Sequence, residues 1–217
     1  MDMDAGVAIV TGSSSGVGAA CVKRLARLGA NVVVNYSKSA QAAAEIAAEC
    51  EALGVESLLI RADVSDDEAC RDMVSQTIAK WGRVDALVNN AGTTKFVAHD
   101  DLEGLSRQDF LDIYAVNTVG AYQMTRAVVP HMKHGGRGSI VNVASVAAIT
   151  GVGSSVAYAA SKGALVTMTL SLARVLGPEI RVNCVCPGFI QGTWLADGMG
   201  RERYDAAKSF LEQSAPL

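Results

Sequence analysis

Thr11-Gly12-Ser13-Ser14-Ser15-Gly16-Val17-Gly18 stands between a short β-branched run over residues 5–11 and an apolar-periodic stretch reaching Leu28. A strand that turns through three glycines into a helix has a physical use. Gly12 permits a tight turn, and Gly16 lets backbone come close to a bound group. Gly18 lets the helix pack closely on the sheet. The helix that follows offers unpaired N–H groups and a partial positive charge, which suit an anionic diphosphate. The spacing is Gly-x3-Gly-x-Gly rather than GxGxxG, so the glycines alone also read as a flexible loop. Their place directly after the first strand favours the binding turn.

Outward from this turn, strand and helix alternate. Strands are predicted over residues 31–35, 56–62, 84–89, 138–144 and 180–186. Helices are predicted over 40–53, from a cap at Ser65 to about Trp81, over 107–132 as one long helix, and over 155–176. The strands are near-continuous Val/Ile/Leu runs, the mark of a parallel sheet covered on both faces. Right-handed crossovers then give an α/β, Rossmann-type doubly wound sheet of six strands. No Pro/Ser-rich linker or repeat divides the chain, so residues 1–217 read as one domain. Its chemistry is expected on loops at the C-terminal ends of the strands.

Composition narrows the function. Of 217 residues, 50% are hydrophobic and 19% charged, with a formal net charge of −3. With no Lys/Arg block, there is no electrostatic footprint for nucleic acid or an anionic membrane. No run of about 18 apolar residues suggests a membrane span. Met1-Asp2-Met3-Asp4 is acidic where a signal peptide is basic. The five cysteines (Cys21, Cys50, Cys70, Cys184, Cys186) show no CxxC spacing. Reduced thiols, a cytoplasmic setting and no metal site are the expectation. Cys184 and Cys186 alternate on one face of a strand and read as small core residues. His131 and His134 end a helix, where positive charge suits the dipole.

Tyr158-Ala159-Ala160-Ser161-Lys162 places Tyr158 and Lys162 one helical turn apart on a shared face. Alone, this is as easily a surface tyrosine beside a solvated lysine. Ser145 changes the reading, because it follows the fifth strand, thirteen residues before Tyr158. A Tyr hydroxyl titrates near 10, and a neighbouring ammonium lowers that value. Reaching about 7 takes roughly 4 kcal/mol of differential stabilisation. A tyrosine so tuned exchanges a proton with a carbonyl or alcohol oxygen near neutral pH. Ser145 would hydrogen-bond the same oxygen.

These residues resemble the short-chain dehydrogenase/reductases across essentially the whole chain. The marks are TGSSSGVG (11–18), NNAG (89–92), Asn117, Ser145, YAASK (158–162) and Pro187-Gly188, in order and at family spacing. The resemblance implies that Asn117, Ser145, Tyr158 and Lys162 are catalytic, with Asn117 holding a water that links Lys162 to solvent. Lys162 would also bind the nicotinamide ribose. Cofactor contacts are implied at Gly12, Ser14, Ser15, Gly16, Val17 and Gly18, at Asp63 and Val64 on the adenine, and at Asn90, Ala91 and Gly92. Pro187, Gly188, Ile190 and Thr193 would border the nicotinamide. Asn89 reads instead as a tie between strands.

The second strand ends in Asn35-Tyr36-Ser37-Lys38, without the acid that selects the ribose 2′-OH. Asn35 and Ser37 can donate hydrogen bonds and Lys38 supplies charge, which favours NADP(H) over NAD(H). Against this, Ser15 stands where many NADP-preferring relatives carry a basic residue. Substrate loops are expected at about 93–100, 146–154 and 189–212. They offer Phe96, Val97, Val146, Ile149, Val152, Phe189, Trp194, Leu195 and Met199, with His99, Asp100 and Asp197 at the rim. The pocket suits a small to medium, partly apolar carbonyl compound or alcohol.

Similarity is close to the 3-oxoacyl-carrier-protein reductases, so reduction of an acyl-carrier or acyl-CoA thioester is the alternative. Their two carrier-binding arginines fall here on Gly136 and Glu179, with Arg137 and Arg181 nearby. A catalytically silent dinucleotide sensor or scaffold is the alternative of another class. Family members continue past residue 217 with a further helix and a seventh strand, so a longer biological chain is expected. The family also implies a homotetramer, or a dimer through the helices of Asn117 and Tyr158.

Overall fold

A computed structural model describes residues 6–214. Ala5 of the first predicted strand, the acidic run 1–4 and residues 215–217 lie outside the described residues. Six parallel strands run β1 (Val7–Val10), β2 (Asn31–Tyr36), β3 (Ser57–Arg61), β4 (Ala86–Asn89), β5 (Gly138–Val143) and β6 (Ile180–Val185). Their order across the sheet is β3-β2-β1-β4-β5-β6. The order reverses beside β1, so the β1 and β4 loops part there and open a crevice at the strand C-terminal ends.

Alternation along the strands builds two cores. Ala8, Val10, Val32 and Val34 pack with Val22, Ala26, Ala43 and Ala47 of α1 (Gly16–Arg27) and α2 (Ala40–Glu51). Ile9, Val33, Leu87 and Ile140 face the other way, onto Met73 of α3 (Asp67–Trp81) and Met124, Val128 and Met132 of α5 (Ala121–His134). Among the described residues only one face of β6 is covered. Ile180 and Val182 are buried, whereas Arg181, Asn183 and Val185 are exposed.

Two local expectations change. Ser65 does not cap α3. Asp66 does, accepting from the Glu68 and Ala69 amides, while the Ser65 hydroxyl bonds Asp63. A carboxylate at that position also complements the helix dipole. The long helix over 107–132 is three pieces: α4 (Arg107–Tyr114), a π-helical segment (Ala115–Gly120) and α5. Asn117 sits inside the π segment, the kind of interruption often found at functional sites. A short α6 (Ala147–Thr150), a long α7 (Val156–Leu176), α8 (Thr193–Met199) and α9 (Arg201–Ser214) complete the chain.

By length and mean hydropathy (1.2), α7 alone among the described residues is apolar enough to cross a membrane. Here it packs on β5 and β6, burying Ser161, Lys162 and Thr169 with partners for each.

Candidate active site

The glycine turn is held from within. The Gly12 amide donates to Asn35 Oδ1 at 2.9 Å. The Asn35 amide group donates to the Ala62 and Ile60 carbonyls at 3.1 and 3.3 Å. Both of its N–H groups are therefore spent, and Asn35 is 1% exposed. The expectation that Asn35 donates to a 2′-phosphate is corrected: it pins the turn to β3. Asn90 does the same from β4, donating to the Thr11 and Gly12 carbonyls at 2.9 and 3.0 Å. A Cβ on Gly18 would lie 2.4 Å from the Gly12 carbonyl oxygen and 2.5 Å from Asn90 Nδ2. Gly18 is thus required by the turn itself rather than by the sheet.

Gly16 takes φ +55°, and nothing lies within 4 Å of where a Cβ would point. Ser15 caps α1 without a side-chain hydrogen bond, and the first turn carries no acid. Open space, uncapped N–H groups and the positive end of a helix fit the diphosphate of a dinucleotide.

The chemistry-bearing side chains converge from β5, α7 and the π segment. Ser145 follows β5, and its oxygen accepts from the Ala147 amide at 3.2 Å, leaving the hydroxyl proton free to donate. Ser155 caps α7 by accepting from the Tyr158 amide at 3.3 Å. Tyr158 therefore lies in the first turn, at the positive end of the helix dipole. Lys162, one turn on, is 4% exposed and donates to the Val143 carbonyl at 2.8 Å. Its Nζ lies 5.7 Å from the Tyr158 ring centroid.

Burial pushes the Lys162 ammonium down to about 8. Burial also raises the Tyr158 pKa, and a hydrogen bond with Ser145 pulls it back. In the protein by itself Tyr158 is therefore a protonated acid.

Asn117 is buried, accepting from the Thr93 amide at 2.7 Å and donating to the Thr93 carbonyl at 3.0 Å and Ser161 Oγ at 2.9 Å. Ser161 in turn donates to the Tyr158 carbonyl at 2.7 Å. These side-chain bonds let Asn117 position the loop at 93 and the Tyr158 turn. Ser161 was not singled out in the sequence, although its place between Tyr158 and Lys162 marks it. Asn89 does tie strands, donating to Asn142 Oδ1 at 2.9 Å.

A cavity of about 1180 Å³ runs over these groups. Its wall includes Gly12, Ser14, Ser15, Gly16, Val17, Ser37, Lys38, Asp63, Val64, Ala91 and Gly92 at one end. Ser145, Tyr158, Lys162, Pro187, Gly188, Ile190 and Thr193 line the other. Of the expected cofactor residues Gly18 and Tyr36 lie outside the wall, as does Asn117. Ile149, Asp100 and Asp197 of the expected substrate region also lie outside it. Arg203 and Leu211 of α9, within the expected 189–212 segment but not named from the sequence, also line the wall. Arg61 is a second missed cation, donating to the Ser37 carbonyl at 3.3 Å.

The loops at 93–100 and 146–154 are laced together. Thr94 and Ser154 hydroxyls meet at 2.7 Å, and the Val97 amide donates to the Ser154 carbonyl at 2.9 Å. Cys184 and Cys186 pack against Ala144 and Leu165.

The sequence profile of the short chain dehydrogenase family matches residues 6–203. The chain belongs to this family. It is 41% identical to a candidate ketoacyl reductase of the granaticin polyketide synthase from Streptomyces violaceoruber, over 99% of this chain and 83% of that one. A 3-oxoacyl-[acyl-carrier-protein] reductase from Staphylococcus epidermidis is 36% identical, over 84% of this chain and 74% of its own. Among solved structures, a candidate short-chain dehydrogenase/reductase from Burkholderia xenovorans superposes with a TM-score of 0.86 at 39% identity, over 98% and 93% of the two chains. NAD+-bound xylitol dehydrogenase superposes with a TM-score of 0.84 at 31% identity, over 90% and 74%. This short-chain dehydrogenase is thus an oxidoreductase of the carbonyl–alcohol type, and its family binds a nicotinamide dinucleotide.

Proposed function

We propose that this short-chain dehydrogenase is an NADP(H)-dependent reductase that interconverts a carbonyl and a secondary alcohol, with Tyr158 as the acid and base. One observation carries the reading: Ser145, Tyr158 and Lys162 line one end of a single cavity whose other end is the Gly12–Gly18 turn. The cofactor, when bound, supplies or accepts the hydride. Tyr158 gives its proton to the substrate oxygen on reduction. Ser145 donates a hydrogen bond to that oxygen as charge develops on it. Lys162 and the N-terminus of α7 stabilise the phenolate left behind. With its pKa near 8, Lys162 keeps its charge at neutral pH.

Lys38 and Ser37 support NADP(H). Both line the cavity at the end of β2, with no carboxylate beside them on that strand end. Exposed apolar side chains on α5, α7 and the π segment, among them Tyr122, Leu170 and Val119, support self-association as a dimer or tetramer.

Similarity to the 3-oxoacyl-carrier-protein reductase favours a second reading, reduction of a carrier-bound 3-oxoacyl thioester. Gly136, Arg137, Glu179 and Arg181 stand where β5 and β6 begin, at the end of the sheet opposite the cavity. Carrier recognition through those positions would have to serve another protomer's cavity.

The test is a fluorescence titration with NADPH and NADH, followed by turnover of free ketones and of a 3-oxoacyl thioester. Tighter NADPH binding with ketone turnover is expected. Binding without turnover of either substrate class overturns the reading in favour of a dinucleotide sensor.

A further inference from the structure

We propose that the cavity wall beside Tyr158 is a binding face for an aromatic ring, and that the preferred substrates are planar aryl ketones or the matching alcohols. The proposal rests on the oxidoreductase reading above and names its substrate class.

Aromatic residues make up only 5% of the chain: 2 Trp, 5 Tyr and 4 Phe. Five of these gather at the substrate end of the cavity, in two sets. Phe189 and Tyr204 stack at 5.3 Å between centroids. Tyr204 is 7% exposed, and its hydroxyl accepts from the Gly192 amide at 3.2 Å. That set braces α9 against the loop leading into α8.

The second set faces the cavity. The Trp194 ring lies 5.7 Å from Phe96 at 59° and 6.3 Å from Tyr158 at 48°. Two rings fix it, yet it remains 48% exposed on the cavity wall. A tryptophan held by aromatic neighbours with half its surface open beside the acid is placed to stack on a ring joined to the reacting carbonyl.

The wall depends on one glycine. A Cβ on Gly198 would fall 1.9 Å from Phe96 Cε2, so any larger residue displaces the Phe96 ring from α8. The exposed Val146 and Val152 line the same cavity, together with the polar His99 and Arg203. Asp100 and Asp197 do not line the wall.

The experiment compares methyl phenyl ketone with methyl cyclohexyl ketone, which share the carbonyl and nearly the same size but differ in the ring. The wild-type protein is expected to favour the phenyl compound in kcat/KM by about tenfold, the scale of one aromatic pair. Trp194→Leu is expected to bring the ratio near one, and Trp194→Phe to keep most of it. Circular dichroism melting shows whether each variant is folded.

A binding arm runs independently of turnover. The other tryptophan, Trp81, bonds Glu56 at the end of α3 and does not line this cavity. In a Trp81→Phe background the fluorescence reports Trp194 alone. Saturable quenching by the phenyl ketone, stronger than by the cyclohexyl ketone, is the expected result. Equal quenching and an unchanged ratio overturn the proposal. Preferential quenching without turnover of any ketone keeps the aromatic face and removes the redox reading instead.

Discussion

Around β1, β2 and β3 the polar side chains of the turn are bonded to the protein's own backbone, whereas beside the equally well bonded buried groups of β5 and α7 the half-buried Ser145 and Tyr158 keep hydroxyls at the cavity. Asn35, Asn90 and the Ser13 hydroxyl, which donates to the Val10 carbonyl at 2.8 Å, all end on main-chain atoms. What that half offers a ligand is backbone N–H, glycine space and a helix terminus. On the other side Ser145 accepts from one amide and keeps its proton, and the Tyr158 hydroxyl meets Ser145. The first region is finished as architecture; the second is left with groups free to react. Substitutions in the two regions should therefore fail in different ways.

The sharpest break is Tyr158→Phe. It removes the acid and nothing that the fold uses, since Ser155 and Ser161 bond only the Tyr158 main chain. Turnover should fall by about a thousandfold or more, within the range of lost general acid catalysis. Steady-state kinetics beside a thermal melt check both halves of the expectation. A melt shifted as strongly as turnover would merge the two regions.

Asn35→Leu should do the reverse. It leaves the Gly12 amide and the Ile60 and Ala62 carbonyls without their partner in a buried site. At about 1–3 kcal/mol for each unsatisfied group, the loss approaches several kcal/mol. Urea denaturation should show it in the absence of any ligand. Any remaining folded protein should bind dinucleotide weakly, because the turn is no longer held.

Lys162 belongs to both regions, and pH separates its roles. Its folded pKa is about 8 against an ordinary 10.5. Below pH 8 both folded and unfolded chains hold the proton, and the buried charge costs stability in full. Between those values the unfolded chain binds more protons, so this contribution to stability rises with pH. Lys162→Met removes it. The stability of the variant relative to wild type should therefore be greatest at or below pH 8. The difference should close by up to about 3 kcal/mol towards pH 10.5. Cys70, pushed up to about 12 by burial, acts in the opposite direction but is common to both proteins and cancels. Carbonyl reduction by the wild type should decline above pH 8, as Lys162 loses its charge. A flat difference between the two melts would mean that Lys162 is not paying for burial.

The same division explains what the sequence made legible. The glycine turn, the six strands and the Ser145, Tyr158 and Lys162 set are carried by local pattern and short spacings, and they lie where expected. Asn35 was misread because its partners, Gly12 and Ala62, are 23 and 27 residues away, and nothing in NYSK announces them. The π segment was read as plain helix because apolar periodicity barely changes when one turn widens. The Asn117 ties to Thr93 and Ser161 were not legible because they are tertiary. Trp194 and Phe96 were placed in the pocket, but their mutual contact depends on Gly198, 102 residues from Phe96.

Lys38 gives the smallest and most selective test. It is exposed, lines the cavity at the end of β2 and has no ion-pair partner among the described residues. Lys38→Glu should leave the melt unchanged, because no fold contact is lost. NADPH should bind roughly ten- to a hundredfold more weakly, the scale of one charged hydrogen bond. NADH should bind as well or better, since a carboxylate there accepts from the ribose hydroxyl. Arg61 lies one strand over and already spends its Nε on the Ser37 carbonyl. An unchanged preference in Lys38→Glu, lost on adding Arg61→Ala, would move the phosphate contact from β2 to β3. Either way the turn pinned by Asn35 stays in place, so the two titrations compare side-chain chemistry on one fixed backbone.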